Sequence, residues 1–342
     1  MKETTKVTKA RTRATEVVEI DLFDATPIEN IKFLGVDTGK MNTQVVGADG
    51  LAKKIESRIK VDAEGVFGNT KTIQGRVCEI SVDSPFSDNQ NKNEEHSIFL
   101  GYNIISEVVE DGDIVAVGLG LPLDIYKNKE ERLRYANNFL NNQEPIVVDD
   151  KSFRIAKVLV CPEGISATTQ NKLSKKRWTL VVDIGGRNIN FCIVDEYGRP
   201  VIASIDTFDE GMHKALKEIR KELRTLNITN MEEDDILRIV VNGGGNKQIN
   251  DVISNYFDKF LKRVKHKIDK GIEGFNRSTT DLLFVGGTSK YLSDKIDTLF
   301  NNANEEIEDA TDKYQWTVSD DALWDNAKAY YSLLLSACKV KQ

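Results

Sequence analysis

Two short runs stand out for the chemistry they can do. Asp37-Thr38-Gly39-Lys40 follows the apolar stretch Phe33-Leu34-Gly35-Val36, and Asp183-Ile184-Gly185-Gly186 follows Thr179-Leu180-Val181-Val182. Each reads as a strand that runs into a glycine turn and returns as a second strand, at Val45-Val46 and at Phe191-Cys192-Ile193-Val194. Glycine removes the side chain from such a turn, so backbone N–H groups can face a ligand. A pair of these turns is suited to the oxyanions of a nucleotide, and Asp37 and Asp183 each add a carboxylate able to hold hydrated Mg²⁺ through water. A third glycine turn, Gly286-Gly287-Thr288, follows the strand Leu282–Val285. No G-x-x-x-x-G-K-[ST] is present, and no G-x-G-x-x-G opens a helix after a strand, so P-loop and dinucleotide-binding readings are disfavoured. His96, His213 and His266 have no partner motif and are assigned surface or incidental roles.

These turns need a scaffold of strands and helices. The two Asp-x-Gly turns are each followed, at the same spacing, by a second Asp, Asp49 and Asp195, which marks an internal repeat at the scale of a domain. Ile114–Gly118 and Ile155–Val160 read as buried strands, the first ending in Gly120-Leu121-Pro122 and the second in Cys161-Pro162-Glu163-Gly164. Helices are expected from about Asn128, over about 209–225, from Lys247 to Ile268 and from Ser319 to Cys338; Ile236–Val241 reads as a strand. This alternation indicates mixed or parallel sheets covered by helices, an α/β fold. Residues 1–29 read as an extended or disordered tail. Within it Val18, Ile20 and Leu22 alternate with Glu19 and Asp21 as a short strand able to dock.

Composition bounds the function. With 342 residues, length alone suggests about two domains. The formal net charge of −7 argues against coating nucleic acid or an anionic membrane by bulk electrostatics. The N-terminal tip is the exception, with Lys2, Lys6, Lys9, Arg11 and Arg13 against Glu3 alone up to residue 13. No apolar run is long enough for a membrane span, and Cys78, Cys161, Cys192 and Cys338 lack metal-binding spacing, which fits free thiols in a reducing cytoplasm.

The order of motifs, Asp-x-Gly, a G-L-P strand end, a Pro-Glu turn, Asp-x-Gly-Gly, a late strand followed by Gly-Gly and Asn326-Ala327 near the C-terminus, resembles the actin/sugar-kinase/heat-shock ATPase superfamily. Gly120-Leu121-Pro122-Leu123 with Tyr126, Cys161-Pro162-Glu163-Gly164-Ile165 and Asp183-Ile184-Gly185-Gly186 look most like the ParM bacterial actins that segregate plasmids. The resemblance covers residues 31–342. It implies an actin-like, ribonuclease H-like pair of duplicated domains with a nucleotide cleft between them: domain I over 30–177 with a smaller insertion at about 55–110, domain II over 178–318 with one at about 206–279, and a connecting helix over 319–342. Small residues in Asn326-Ala327-Lys328-Ala329 would let that helix pack closely at the hinge.

Carried onto this sequence, the first phosphate loop is Asp37, Thr38, Gly39, Lys40, Met41, Asn42 and Thr43. The second is Asp183 with Gly185, Gly186, Arg187 and Asn188. Gly286, Gly287 and Thr288, with Ser289, would contact the nucleoside and its α-phosphate. Glu163 matches the residue that positions or deprotonates the attacking water, and Asp183 joins it as a catalytic carboxylate. The family's first loop places Lys or Arg seven residues after its Asp; here Gln44 stands there, and Lys40 is the substitute cation. Arg187, Asn188 and Asn190 also depart from the second loop's usual pattern.

The implied activity is a nucleotidase that polymerises on binding ATP or GTP with Mg²⁺, and whose hydrolysis of the nucleotide destabilises the filament. The expected partners are copies of the chain itself and a DNA-binding adaptor protein, with no direct membrane contact and no direct DNA binding. A small-molecule kinase of the sugar or acetate type is the alternative. A heat-shock-type chaperone lacks a peptide-binding domain in the sequence, and a membrane-bound cell-shape actin lacks a basic amphipathic insertion.

Overall fold

The computed structural model describes residues 6–9, 16–19, 21–64, 69–81, 84–86, 92–174 and 176–340. The chain divides into two compact units, residues 1–170 with 324–342 and residues 171–323.

The first unit is built on strands β1 (Lys6–Lys9), β2 (Glu16–Glu19), β3 (Ile31–Thr38), β4 (Asn42–Val46), β5 (Ala52–Glu56), β6 (Lys60–Val61), β7 (Thr70–Ile73), β8 (Arg76–Glu79), β9 (Ile114–Leu121), β10 (Ile146–Val148) and β11 (Lys151–Pro162). Helices α1 (Asp21–Ala25), α2 (Glu95–Ser106), α3 (Leu123–Tyr126) and α4 (Lys129–Phe139) accompany them, with Asn128 capping α4. The strands form one sheet in the order β5-β4-β3-β9-β11-β10-β7-β8-β6. β3, β9 and β11 run parallel, while β4 and β5 are antiparallel neighbours.

Within the N-terminal segment, residues 6–9 and 16–19 are extended as strands. β1 and β2 pair as an antiparallel hairpin, and β2 lies against Lys157–Val160 of β11. The expected strand through Val18 and Leu22 is corrected: the strand spans Glu16–Glu19, Asp21 and Leu22 begin α1, and Ile20 lies outside the described residues.

The second unit contains β12 (Trp178–Ile184), β13 (Ile189–Val194), β14 (Asp206–Phe208), β15 (Thr280–Val285) and β16 (Trp316–Val318), ordered β14-β13-β12-β15-β16. Its helices are α5 (Met212–Thr225), α6 (Glu233–Asn242), α7 (Lys247–Gly271), α8 (Gly287–Tyr291) and α9 (Ser293–Glu305). Two antiparallel strands followed by parallel β12, β15 and β16 reproduce the arrangement of β5-β4-β3-β9-β11. The sequence repeat is therefore a repeat of sheet topology.

Ile236–Val241 is helical, not a strand. Glu232 and Asp235 form a reciprocal capping box, and Glu233, Asp234 and Asp235 place negative charge in the first turn, where the helix dipole favours it. Only Ile236 of the apolar run is buried, and Gly243, Gly244 and Gly245, all at positive φ, end the helix. The last helix, α10 (Asp325–Cys338), begins later than Ser319 because the preceding backbone is tied to the second unit. There the Ser319 amide donates to the Phe284 carbonyl, and the Gly286 amide donates to that of Ala322.

α10 packs within the first unit, and the alternation of β9 explains how. Val115, Val117 and Leu119 enter the core shared with α2 and α4, whereas the intervening Ala116, Gly118 and Gly120 lie on the side of α10. Gly118 pairs with Gly35 of β3. A Cβ at Gly35 would strike the Ala327 carbonyl, and one at Gly118 would come within 2.5 Å of the Tyr330 carbonyl. The backbone of α10 at Ala327 and Tyr330 thus rests directly on glycines of the sheet, and the Tyr330 ring lies over Gly120, so the small residues that permit the approach are mainly those of the sheet. Overpacking of this kind is expected to cost Gly118→Ala about 1–3 kcal/mol, against about 1 kcal/mol of strain for Gly112→Ala. A Cβ at Gly112, at φ +83°, meets nothing within 4 Å. Urea denaturation of the two variants checks the order.

Candidate functional site

Each unit gathers its own set of the residues singled out by sequence. In the first, Asp37 and Thr38 end β3, Gly39, Lys40 and Met41 form the turn, and Asn42 and Thr43 open β4. The turn is held from below by Ser57. Its hydroxyl donates to the Gly39 carbonyl, its amide donates to the Met41 carbonyl at 2.9 Å, and its Oγ lies 2.9 Å from Thr43 Oγ1. Thr38 Oγ1 lies 3.4 Å from the hydroxyl of buried Tyr135 on α4. A Cβ at Gly39 would crowd the Asn42 carbonyl at 2.7 Å, so the turn needs glycine for space.

Glu163 stands just past β11 and is 8% exposed. Its amide donates to the Leu121 carbonyl at 3.0 Å. The next residue, Gly164, has φ +68° and donates its amide to Asn326 Oδ1 at 3.1 Å, so α10 fixes the turn that carries the carboxylate.

The side chain that joins this set together is Lys92, a residue with no motif around it in the sequence. It is 3% exposed. Its ammonium lies 2.8 Å from Asp37 Oδ1 and is ion-paired with Glu163 Oε1. Burial pulls the ammonium down, but Asp37 and Glu163 outweigh it and hold Lys92 charged, well above its ordinary range. One cation here serves two carboxylates. Burial raises the Glu163 carboxyl, and Lys92 opposes that rise without cancelling it. Lys40, the substitute phosphate cation expected from sequence, places its Nζ 3.0 Å from Glu94 Oε1 and 3.4 Å from Ser97 Oγ; burial lowers its pKa.

In the second unit Asp183, on β12, is buried. Gly185, Gly186, Arg187 and Asn188 form the turn, in which the Gly185 amide donates to the Asn188 carbonyl at 3.0 Å. The start of α5 sets the turn's direction: the amides of Met212 and His213 donate to the carbonyls of Gly185 and Gly186, at 3.3 and 2.7 Å. Gly211 lies so close that a Cβ there would be 2.5 Å from the Arg187 carbonyl carbon. The third glycine turn meets the second. Thr288 Oγ1 donates to the Gly185 carbonyl at 3.0 Å, and a Cβ at Gly286 would strike Asp183 Oδ1. Gly287 and Thr288 begin α8.

Sequence reading pointed to both turns, Glu163 and Gly286, but not to Lys92, Ser57 or Tyr135. The available signal for Lys92 was indirect: Gln44 leaves the strand beside Asp37 without a cation. His96 hydrogen-bonds the Ile59 carbonyl through its ring at 2.7 Å. Among the described residues no group of three or more His, Cys, Asp and Glu side chains is placed to hold a metal ion, and no helix is long and apolar enough to cross a membrane. Half-buried Asp37 and buried Asp183, one carboxylate at each turn, are donors of the kind that fit magnesium held through water.

Gly286 combines φ +87° with that close approach to Asp183. Gly286→Ala is therefore expected to destabilise the protein by about 2–4 kcal/mol, strain and overpacking together. Gly287→Ala, whose Cβ would meet only Leu323 Cδ1, at 3.0 Å, should cost less. Denaturant titration of both variants is the check.

Comparison with known proteins follows the division into units. Residues 35–165 match the model of the actin-like proteins' N-terminal domain, and residues 181–298 match that of the archaeal actin homologue MreB-like C-terminal domain. Among solved structures, an archaeal actin homologue in complex with ADP superposes with a TM-score of 0.67 at 15% identity, covering 89% of this chain and 99% of that one. A subunit of a 15-stranded ParM filament from Clostridium botulinum gives 0.68 at 15% identity, covering 90% and 99%. The Alp12 filament structure gives 0.63 at 19%, covering 90% and 99%. At these identities the likeness is one of fold. Among curated proteins none matches the sequence.

Proposed function

As the chain belongs to the actin-like protein family, matched in both of its halves, we propose that it is a nucleotidase that polymerises into filaments. The observation that carries this reading is the recurrence of one phosphate-suited device. Each unit ends a central parallel strand in an Asp-x-Gly turn, at Asp37 and at Asp183, and pins that turn from behind with hydrogen bonds to its carbonyls. Fixing the carbonyls leaves the turns' backbone donors oriented in advance, which is how a nest binds an anion without reorganising.

The proposed ligand is ATP or GTP with magnesium. Gly39, Lys40, Met41, Asn42 and Thr43 on one turn, and Gly185, Gly186, Arg187 and Asn188 on the other, hold its phosphates. Gly286, Gly287 and Thr288 take the nucleoside side. Asp37 in the first unit and Asp183 in the second are the carboxylates that would hold magnesium through water, and the ion would supply positive charge to the phosphates. Glu163 accepts the proton of the attacking water, a role suited to a carboxyl that burial has made more basic than usual. Asp183 is the catalytic carboxylate proposed in the second unit.

The proposed filament is an open head-to-tail polymer, the product of a heterologous contact that does not close. Nucleotide binding favours assembly and hydrolysis weakens it, so the filament would separate plasmid DNA. With a net charge of −7, the chain is expected to reach that DNA through a DNA-binding adaptor protein.

Sedimentation and light scattering of the full chain with magnesium and ATP, GTP or no nucleotide test this reading. Polymer should form only with a nucleoside triphosphate, and phosphate release should require no acceptor molecule. Glu163→Gln is expected to lower kcat by about 10²-fold, the usual yield of a positioned proton acceptor, and to prolong the polymer's life. A protein that forms no polymer with either nucleotide, or that releases phosphate only onto an added sugar or acetate, overturns the reading.

A further inference from the structure

The first turn carries its cation in an unexpected way. Gln44 is the cross-strand partner of Asp37, so the two side chains share a face of the sheet. Gln44 is 3% exposed, and among the described residues its Oε1 has no hydrogen-bond partner. A neutral amide there supplies no charge to Asp37. Lys40, in the turn itself, directs its ammonium to Glu94 and Ser97. The cation reaches Asp37 from outside the hairpin, on Lys92, three residues before α2 begins.

We propose that Lys92 is the positioning residue for hydrolysis: by bridging Asp37 at the phosphate turn and Glu163 at the end of β11, its ammonium fixes the water-activating carboxylate relative to that turn. The inference rests on the nucleotidase reading above. The buried pair of Lys92 and Glu163 beside half-buried Asp37 is not explained by stability, because replacing a buried ion pair by apolar groups of similar volume is often neutral or stabilising. The arrangement does explain geometry. Asp37 is held by its strand, Glu163 stands on a turn anchored by Asn326, and one ammonium in contact with both sets their separation. Without it buried Glu163 and half-buried Asp37 are left to repel one another, and Glu163, on the turn, is the one free to move.

The test is steady-state hydrolysis of ATP and GTP with magnesium by the full chain, in the wild type, Lys92→Met, Lys92→Arg, Glu163→Gln and the Lys92→Met/Glu163→Gln double variant. Lys92→Met should lower kcat about 10- to 100-fold while KM changes by less than about threefold, the pattern of an interaction that matters in the transition state. In the Glu163→Gln background the same substitution should cost less than about twofold, because residues acting as a unit are non-additive. Lys92→Arg, which keeps the charge, should recover part of the lost kcat. Thermal unfolding reports whether each variant folds. Should Lys92→Met fail to fold, the Lys92→Arg protein and the double variant, which buries one carboxylate fewer, carry the comparison. Equal losses in the two backgrounds, a raised KM with unchanged kcat, or a kcat within twofold of wild type would overturn the role of Lys92 and leave the nucleotidase reading standing. A wild-type chain that polymerises or binds nucleotide without hydrolysing it overturns the hydrolytic reading, and this inference with it.

Discussion

A carboxylate taken out of water must find a cation or take up a proton, and the first unit gathers buried Glu163 and half-buried Asp37 around a single ammonium. Lys92 between Asp37 and Glu163 is the contact on which the arrangement of that unit's site depends. It joins the end of β3, the end of β11 and the segment before α2, three places far apart in the chain. The cost of desolvating these charges falls on the fold, and the sheet meets it. β3, β9 and β11 are parallel neighbours, so their C-terminal ends emerge on one edge and bring Asp37 and Glu163 within reach of one side chain. In open parallel sheets that edge is where ligands bind.

The sheet can do this because its opposite face tolerates a helix at close range. The alternation of β9, large residues on one face and Ala116, Gly118 and Gly120 on the other, gives α10 a flat bed. From that bed α10 extends Asn326 to the amide of Gly164, the residue after Glu163. Strand composition, helix approach and the placing of Glu163 are thus one chain of causes: a larger residue at Gly118 or Gly35 would lift α10 and with it the anchor of the turn that bears Glu163.

Much of this was legible in the sequence where local pattern and tertiary role agree. The Asp-x-Gly turns could be read because apolar strands flank them on both sides, and α7 because its apolar residues recur at three- and four-residue steps. Ile236–Val241 misled because a run of branched apolar residues satisfies a strand, whereas its fate was settled by the acidic capping box preceding it. Lys92 was invisible for a different reason. Its surroundings are polar and without period, and its importance arises only when β3 and β11 meet in space. The absence of a base at Gln44 was a clue that a cation had to come from elsewhere, but no sequence spacing said from where.

The two sheets share a topology and divide the chemistry. In each, the central strand ends in the Asp-x-Gly turn, so Asp37 and Asp183 occupy equivalent places. The next parallel strand ends in Leu121-Pro122 in the first unit and in Val285-Gly286 in the second; the strand after that ends in Pro162-Glu163 and in Val318-Ser319. A titratable side chain appears at the third strand of the first unit, and a glycine that lets backbone approach a carboxylate appears at the second strand of the other. Duplication supplies two equivalent turns, and turns alone give symmetric binding of an anion. The first unit departs from that equivalence: buried Glu163 and half-buried Asp37 share the Lys92 ammonium there, where the second unit has Ser319 and Asp183, so two matching sheets carry different charges at their strand ends.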